Sequence, residues 1–153
     1  MLLMEFFELL RVNTMRDVML IVHFIGLAMG IGTSFAFMFL GIASAKMEKS
    51  EALKFSINSL ALSRMGHIGL ALLIISGGYL MTPYWSVLST MPLLMAKLGL
   101  VLVLILLIVI ITMNAKKAKK GDAETHLKKI EPLGKVSLLV GLTIIVLAVY
   151  IFH

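Results

Sequence analysis

Four side chains could hold or charge-balance a ligand inside this otherwise apolar chain: His23, Lys97, Arg64 and His67. His23 stands in the run Met19-Leu20-Ile21-Val22-His23-Phe24-Ile25-Gly26, and small residues follow it at helical spacing. An ionisable group within an apolar span is costly, so it marks a functional site by default. A neutral imidazole is a metal ligand, which makes His23 the candidate metal-binding residue. Lys97 is the single charge in its apolar stretch before the far end. It can pair with a carboxylate near a membrane interface. Arg64 and His67 are three residues apart and share a helix face. With no cysteine in the chain, thiolate metal sites, iron–sulfur clusters and disulfides are excluded. No glycine-rich phosphate loop, His-Glu-x-x-His pattern or nucleophile motif is present, so no catalytic residue is assigned.

The elements that position these residues are membrane spans. Of 153 residues, 60% are hydrophobic and 14% charged, and the mean hydropathy is +1.05. Soluble domains are about 45–50% apolar and about 25% charged. The long apolar runs imply one all-α domain over the whole chain, an integral membrane four-helix bundle with a short amphipathic N-terminal segment. That segment, Met1 to Val12, alternates Leu, Phe and Met with Glu5, Glu8 and Arg11. It fits a helix lying at the interface rather than a signal peptide. Asn13-Thr14 should break it, with Thr14 and Asp17 spaced as a capping box. The spans are expected at about 15–45, 55–81, 92–114 and 133–152. Ser50-Glu51 would start the second, Pro92 would sit in the first turn of the third, and Pro132 would open the fourth. The third connector, Ala115 to Leu127, carries the basic cluster Lys116, Lys117, Lys119 and Lys120. Gly26, Gly30 and Ser34 form one small-residue ridge on the first span, and Ala28, Gly32 and Ala36 form another. Gly134, Ser137 and Gly141 do the same on the fourth. Such faces suit close packing within a bundle or a homodimer.

Charge sets the expected orientation. Of 14 Lys and Arg residues, Arg11, Arg16 and Lys97 fall on one side, and the other eleven fall on the side of the first and third connectors. The positive-inside rule then places both termini outside the cytoplasm, in a multi-pass protein of the cytoplasmic (inner) membrane. The same placement explains the net charge of +6 without nucleic acid. At about 1.5 Å rise per residue, His23 and Lys97 both lie roughly 10 Å outside the midplane, and His67 lies roughly 15 Å away axially on the inner half. One metal held by both histidines is therefore not expected. His126, in the basic connector, and the terminal His153 read as solvent histidines.

His23-x-x-Gly26 with Gly30 and Gly32 resembles the start of the HemJ-type protoporphyrinogen oxidases and related CopD-like membrane proteins. Ala96-Lys97-Leu98-Gly99-Leu100-Val101-Leu102 resembles their Lys-Leu-x-Leu-Val helix. The resemblance implies four spans, a functional membrane histidine and lysine at His23 and Lys97, and an associated haem b. The family's Trp after the first His is absent. Its Arg and Tyr-His pair at the inner end of the first span is replaced by Gly41-Ile42-Ala43-Ser44-Ala45-Lys46, and the Tyr-His after the lysine helix is missing. The chain thus resembles a distant relative.

The expectation is a membrane protein that binds haem or a porphyrin through His23, with Lys97, Arg64 and His67 as further cofactor-binding residues and a redox role on the porphyrin. The alternative is a non-enzymatic membrane protein that transports a small solute, handles copper, or assembles with partners. Copper would use thioethers such as Met19, Met81, Met91 and Met95 beside His23. Packing is the stronger reading of the 12 methionines, since Met is an adaptable packing residue and its count needs no metal.

Overall fold

A computed structural model describes residues 1–152, Val12 by its backbone alone, and His153 lies outside the described residues. The chain is helical, with no strand among the described residues. It forms α1 (Leu2–Ser44), α2 (Lys49–Ser59), α3 (Ser63–Leu80), α4 (Pro92–Lys120) and α5 (Ala123–Phe152). A short 3-10 turn, Leu60–Leu62, joins α2 to α3, and a longer one, Thr82–Thr90, joins α3 to α4. Four helical stretches, Leu2–Ser44, Lys49–Leu80, Pro92–Lys120 and Ala123–Phe152, are long and apolar enough to cross a membrane. Packing runs in the order α3, α1, α5, α4, with α1 against α3 and α4 against α5 as the two extensive interfaces.

Several boundaries differ from those expected. The amphipathic N-terminal segment is not separate, because α1 runs unbroken through Asn13-Thr14. Thr14 does not cap a helix; its hydroxyl donates to the Leu10 carbonyl (2.8 Å), a bond a helix interior accommodates. The 43 residues of α1 span roughly 65 Å at the α-helical rise. The residue before α2 is Glu48, not Ser50. The third connector is only Gly121-Asp122, since the basic cluster belongs to α4. Gly121 takes φ 153 and Asp122 takes φ 50, conformations that favour Gly and tolerate Asp. Asp122 Oδ1 accepts from Thr125 Oγ1 (2.8 Å), and α5 starts at once. Pro132 therefore lies inside α5 rather than at its start. Pro92 is in the first turn of α4, as the sequence implies.

The glycines explain how α1 and α3 meet. A Cβ on Gly69 would lie 2.8 Å from both the Gly26 oxygen and the Gly30 nitrogen, and one on Gly26 would lie 2.8 Å from the Gly69 oxygen. The backbones touch there because neither residue has a side chain. Thr33 packs against Gly66 on one side of this crossing, and His23 packs against Gly77 on the other. These contacts set an antiparallel register. On α5, Ser137 and Gly141 are buried, with Ile31 of α1 against Gly141. The ridge of Gly26 and the face of Gly141 are thus used within the chain, whereas a Cβ on Gly32 or Gly134 would meet nothing within 4 Å.

Candidate functional site

His23 is placed by the α1–α3 crossing. Its ring lies over Gly77, where a Cβ would be 3.4 Å from Cε1. Its Nδ1 is 2.9 Å from Ser76 Oγ. Ser76 is fully buried, and its hydroxyl donates to the Leu72 carbonyl one turn back. The hydroxyl hydrogen is therefore spent, so Ser76 Oγ accepts and His23 Nδ1–H donates. That assignment leaves the Nε2 lone pair of a neutral imidazole without a partner among the described residues. Nε2 is not sealed in, since no buried side-chain nitrogen or oxygen lacks a partner among the described residues. Histidines that ligate metals typically donate their other ring N–H in this manner.

Lys97 is half-buried on α4 and finds an aromatic partner. Its Nζ lies 5.1 Å from the centroid of the Phe152 ring, within cation–π range. Phe152 in turn meets Tyr84 edge-on at 5.5 Å. No hydrogen bond joins Lys97 to His23 among the described residues.

His67 and Arg64 do not join this site. Ser76, the partner of His23, lies nine residues from His67 along one helix, which is roughly 13 Å. His67 Nε2 is 2.8 Å from Thr112 Oγ1 on α4. The Thr112 hydroxyl already donates to the Ile108 carbonyl (2.7 Å), so His67 donates from Nε2. Arg64 is exposed, and no ion pair engages it among the described residues. His126 corrects an expectation. It is half-buried, and its Nδ1 lies 3.0 Å from Asn114 Oδ1, bridging α5 to α4. Among the methionines grouped as copper candidates, Met81 is buried and Met95 exposed. No group of three or more His, Asp or Glu residues able to hold a metal ion is assembled among the described residues.

Sequence reasoning missed the partners rather than the histidines. Ser76, Thr112 and Asn114 each supply the atom that holds an imidazole across a helix pair. Only Ser76 carried a signal, since it precedes Gly77-Gly78. Gly69, which makes the crossing, follows Gly66 at helical spacing, a pair of small residues that the sequence reading did not use. The geometry defines an all-helical bundle in which three imidazoles are each held between two helices, with His23 at the α1–α3 crossing. No family model, no curated protein and no solved structure matches this chain.

Proposed function

We propose that this chain is a multi-pass protein of the cytoplasmic membrane that binds haem b or a porphyrin through His23. The observation that carries the reading is the His23–Ser76 hydrogen bond, which fixes the tautomer and leaves Nε2 as a free, reachable base. The donor chemistry fits one axial imidazole. Lys97, at similar depth by rise arithmetic, would serve a carboxylate of the macrocycle. A bound haem would supply one-electron redox chemistry. The protein's own residues orient the ligand nitrogen and exclude water from the α1–α3 crossing. An oxidoreductase acting on the porphyrin is the enzymatic form of this reading, in line with the resemblance to the HemJ-type oxidases.

Membrane insertion is supported by the outward face of the bundle. Leu102, Leu106 and Leu139 are 64%, 63% and 65% exposed, a surface that water does not favour. The position of eleven of the 14 basic residues supports termini outside the cytoplasm. The chain has no cysteine, so Asp122→Cys in the turn between α4 and α5 reports orientation cleanly. Labelling of that thiol by an impermeant maleimide in intact cells would reverse the topology.

Protein purified from haem-replete cells should carry a Soret band. His23→Ala should lose it, and Lys97→Ala should weaken or shift it. Pigment kept by His23→Ala but lost by His67→Ala would move the site to His67 and Arg64. The second reading is a non-enzymatic membrane protein, a solute or copper carrier or an assembly partner, including a homodimer through the open Gly32 ridge. It is favoured by the fact that His23, His67 and His126 each already bridge two helices. Absence of a Soret band, both as purified and after haemin is added, would leave this second reading in place.

A further inference from the structure

We propose that the cleft at the basic end of the bundle, between α1, α2 and the start of α5, binds one anionic phospholipid. The proposal rests on the membrane reading but not on haem. The cleft has a volume of about 380 Å³, and its walls are mainly apolar, with Phe37 and Leu40 from α1, Leu53 from α2 and Leu127 from α5. That volume lies in the range of about 300–1,000 Å³ occupied by small-molecule sites. Lys49 and Lys128 also line it. Both are held by a single carboxylate: Lys49 Nζ is 2.9 Å from Glu124 Oε2, and Lys128 Nζ is 2.9 Å from Glu124 Oε1. Glu131 also lines the cleft but is paired with Lys135 (2.8 Å), so three ammonium groups stand against two carboxylates and leave a net positive charge at its mouth.

The surroundings favour a lipid as the occupant. No residue of α2 is buried, so this helix lies beside the cleft with its packing incomplete, tied to α5 by Lys49. An acyl chain against Leu53 and Phe37 would complete it. A phosphate group would compete with Glu124 for Lys49 and Lys128, as basic pockets at membrane interfaces take lipid head groups. The lysine-rich end of α4 adds to the field at that level. An uncharged head group would gain the apolar contact but not the charge.

The full chain, purified in detergent, is titrated with dioleoyl phosphatidylglycerol or dioleoyl phosphatidylethanolamine and read by native mass spectrometry. One phosphatidylglycerol per chain should bind in preference, and the Lys49→Ala/Lys128→Ala variant should lose that preference. A Cβ on Gly41, which lines the cleft, would meet nothing within 4 Å, so Gly41→Leu should fold and fill the space. It should lose the lipid while keeping the melting temperature. Glu124→Gln should bind about fivefold more tightly, the worth of one added unit of positive charge at the surface. Glu51→Gln makes the same charge change in the first turn of α2 and should leave binding unchanged. Wild-type binding by Gly41→Leu, equal tightening by Glu51→Gln, or displacement of the lipid by inorganic phosphate would each overturn the proposal. Protein released from membranes by alkaline carbonate would instead remove the membrane reading itself.

Discussion

Replacing Gly69 with Ala tests whether the α1–α3 crossing holds the bundle together. The new methyl would lie 2.8 Å from the Gly26 oxygen, 2.8 Å from the Gly30 nitrogen and 2.9 Å from the Met29 Cβ. Ordinary contact begins at 3.4 Å, and two of the three atoms are backbone of the opposing helix, so rotamer changes cannot relieve them. The helices must separate. Overpacking of this kind costs about 1–3 kcal/mol, and backbone obstruction puts this site at the upper end. Alanine returns up to about 1 kcal/mol of helix propensity. The net loss should be about 1–2 kcal/mol. Gly99→Ala, whose Cβ would meet nothing within 4 Å, provides the propensity gain alone. The difference between the two variants, about 2–3 kcal/mol, isolates the steric part. It corresponds to a shift of more than tenfold in the folded-to-unfolded ratio. Unfolding in mixed micelles by increasing sodium dodecyl sulfate, followed by helicity, reads that difference. If Gly69→Ala is as stable as Gly99→Ala, the helices do not meet at Gly26 and Gly69 as described, and the placement of His23 beside Ser76 fails with them.

Ser76→Ala should lower stability by about 0.6–1.7 kcal/mol, the range of interhelical hydrogen bonds in membranes. A double-mutant cycle with His23→Ala should recover most of it as coupling energy, and zero coupling would contradict the bond. Glu124 should titrate below the ordinary glutamate value of 4.5, because the hydrogen bond from Lys49, and then that from Lys128, favours its charged form. A carboxyl with a depressed folded pKa contributes stability above its unfolded value and loses that contribution as pH falls through the folded one. The tie between α2 and α5 is therefore complete above pH 4.5 and lost in more acidic solution. Carbon-detected NMR of the Glu124 carboxyl should show the midpoint rising in Lys49→Ala; an unmoved midpoint would count against the bridge.

The apolar runs made the helices legible, because length and hydrophobicity alone specify a helix that can cross a bilayer. Their ends were less so. Asn13-Thr14 reads as a stop, yet Thr14 turns its hydroxyl back onto Leu10 and the helix continues. Pro132 reads as a start. Only the first-turn position was available by rule, whereas the real boundary is set ten residues earlier by the φ angles of Gly121 and Asp122. His23 was legible as the anomaly of its run, and its distance from His67 followed from the helical rise. Its partner was not legible, because which face of α3 meets α1 depends on Gly69. The spacing of Gly66 and Gly69 marks a small face on α3, but it does not say which helix that face meets, whereas Gly99 stands alone at an open position.

Two readings of an intramembrane histidine, a ligand and a packing device, are usually set against each other. Here the same hydrogen bond serves both. Because the Ser76 hydroxyl donates to Leu72, it can only accept from His23, and Thr112 stands in the same relation to His67 through Ile108. In each case the helix backbone takes the hydroxyl proton, the hydroxyl oxygen takes the imidazole proton, and one ring nitrogen is left basic. The bond that fixes two helices against each other also decides which nitrogen remains available. At His67 the available nitrogen is Nδ1, next to the ring's attachment to its own helix; at His23 it is Nε2, the farther one. Reach thus separates two histidines with otherwise equivalent local chemistry. Within the proposed ligand reading it favours His23, while the structural role is common to both.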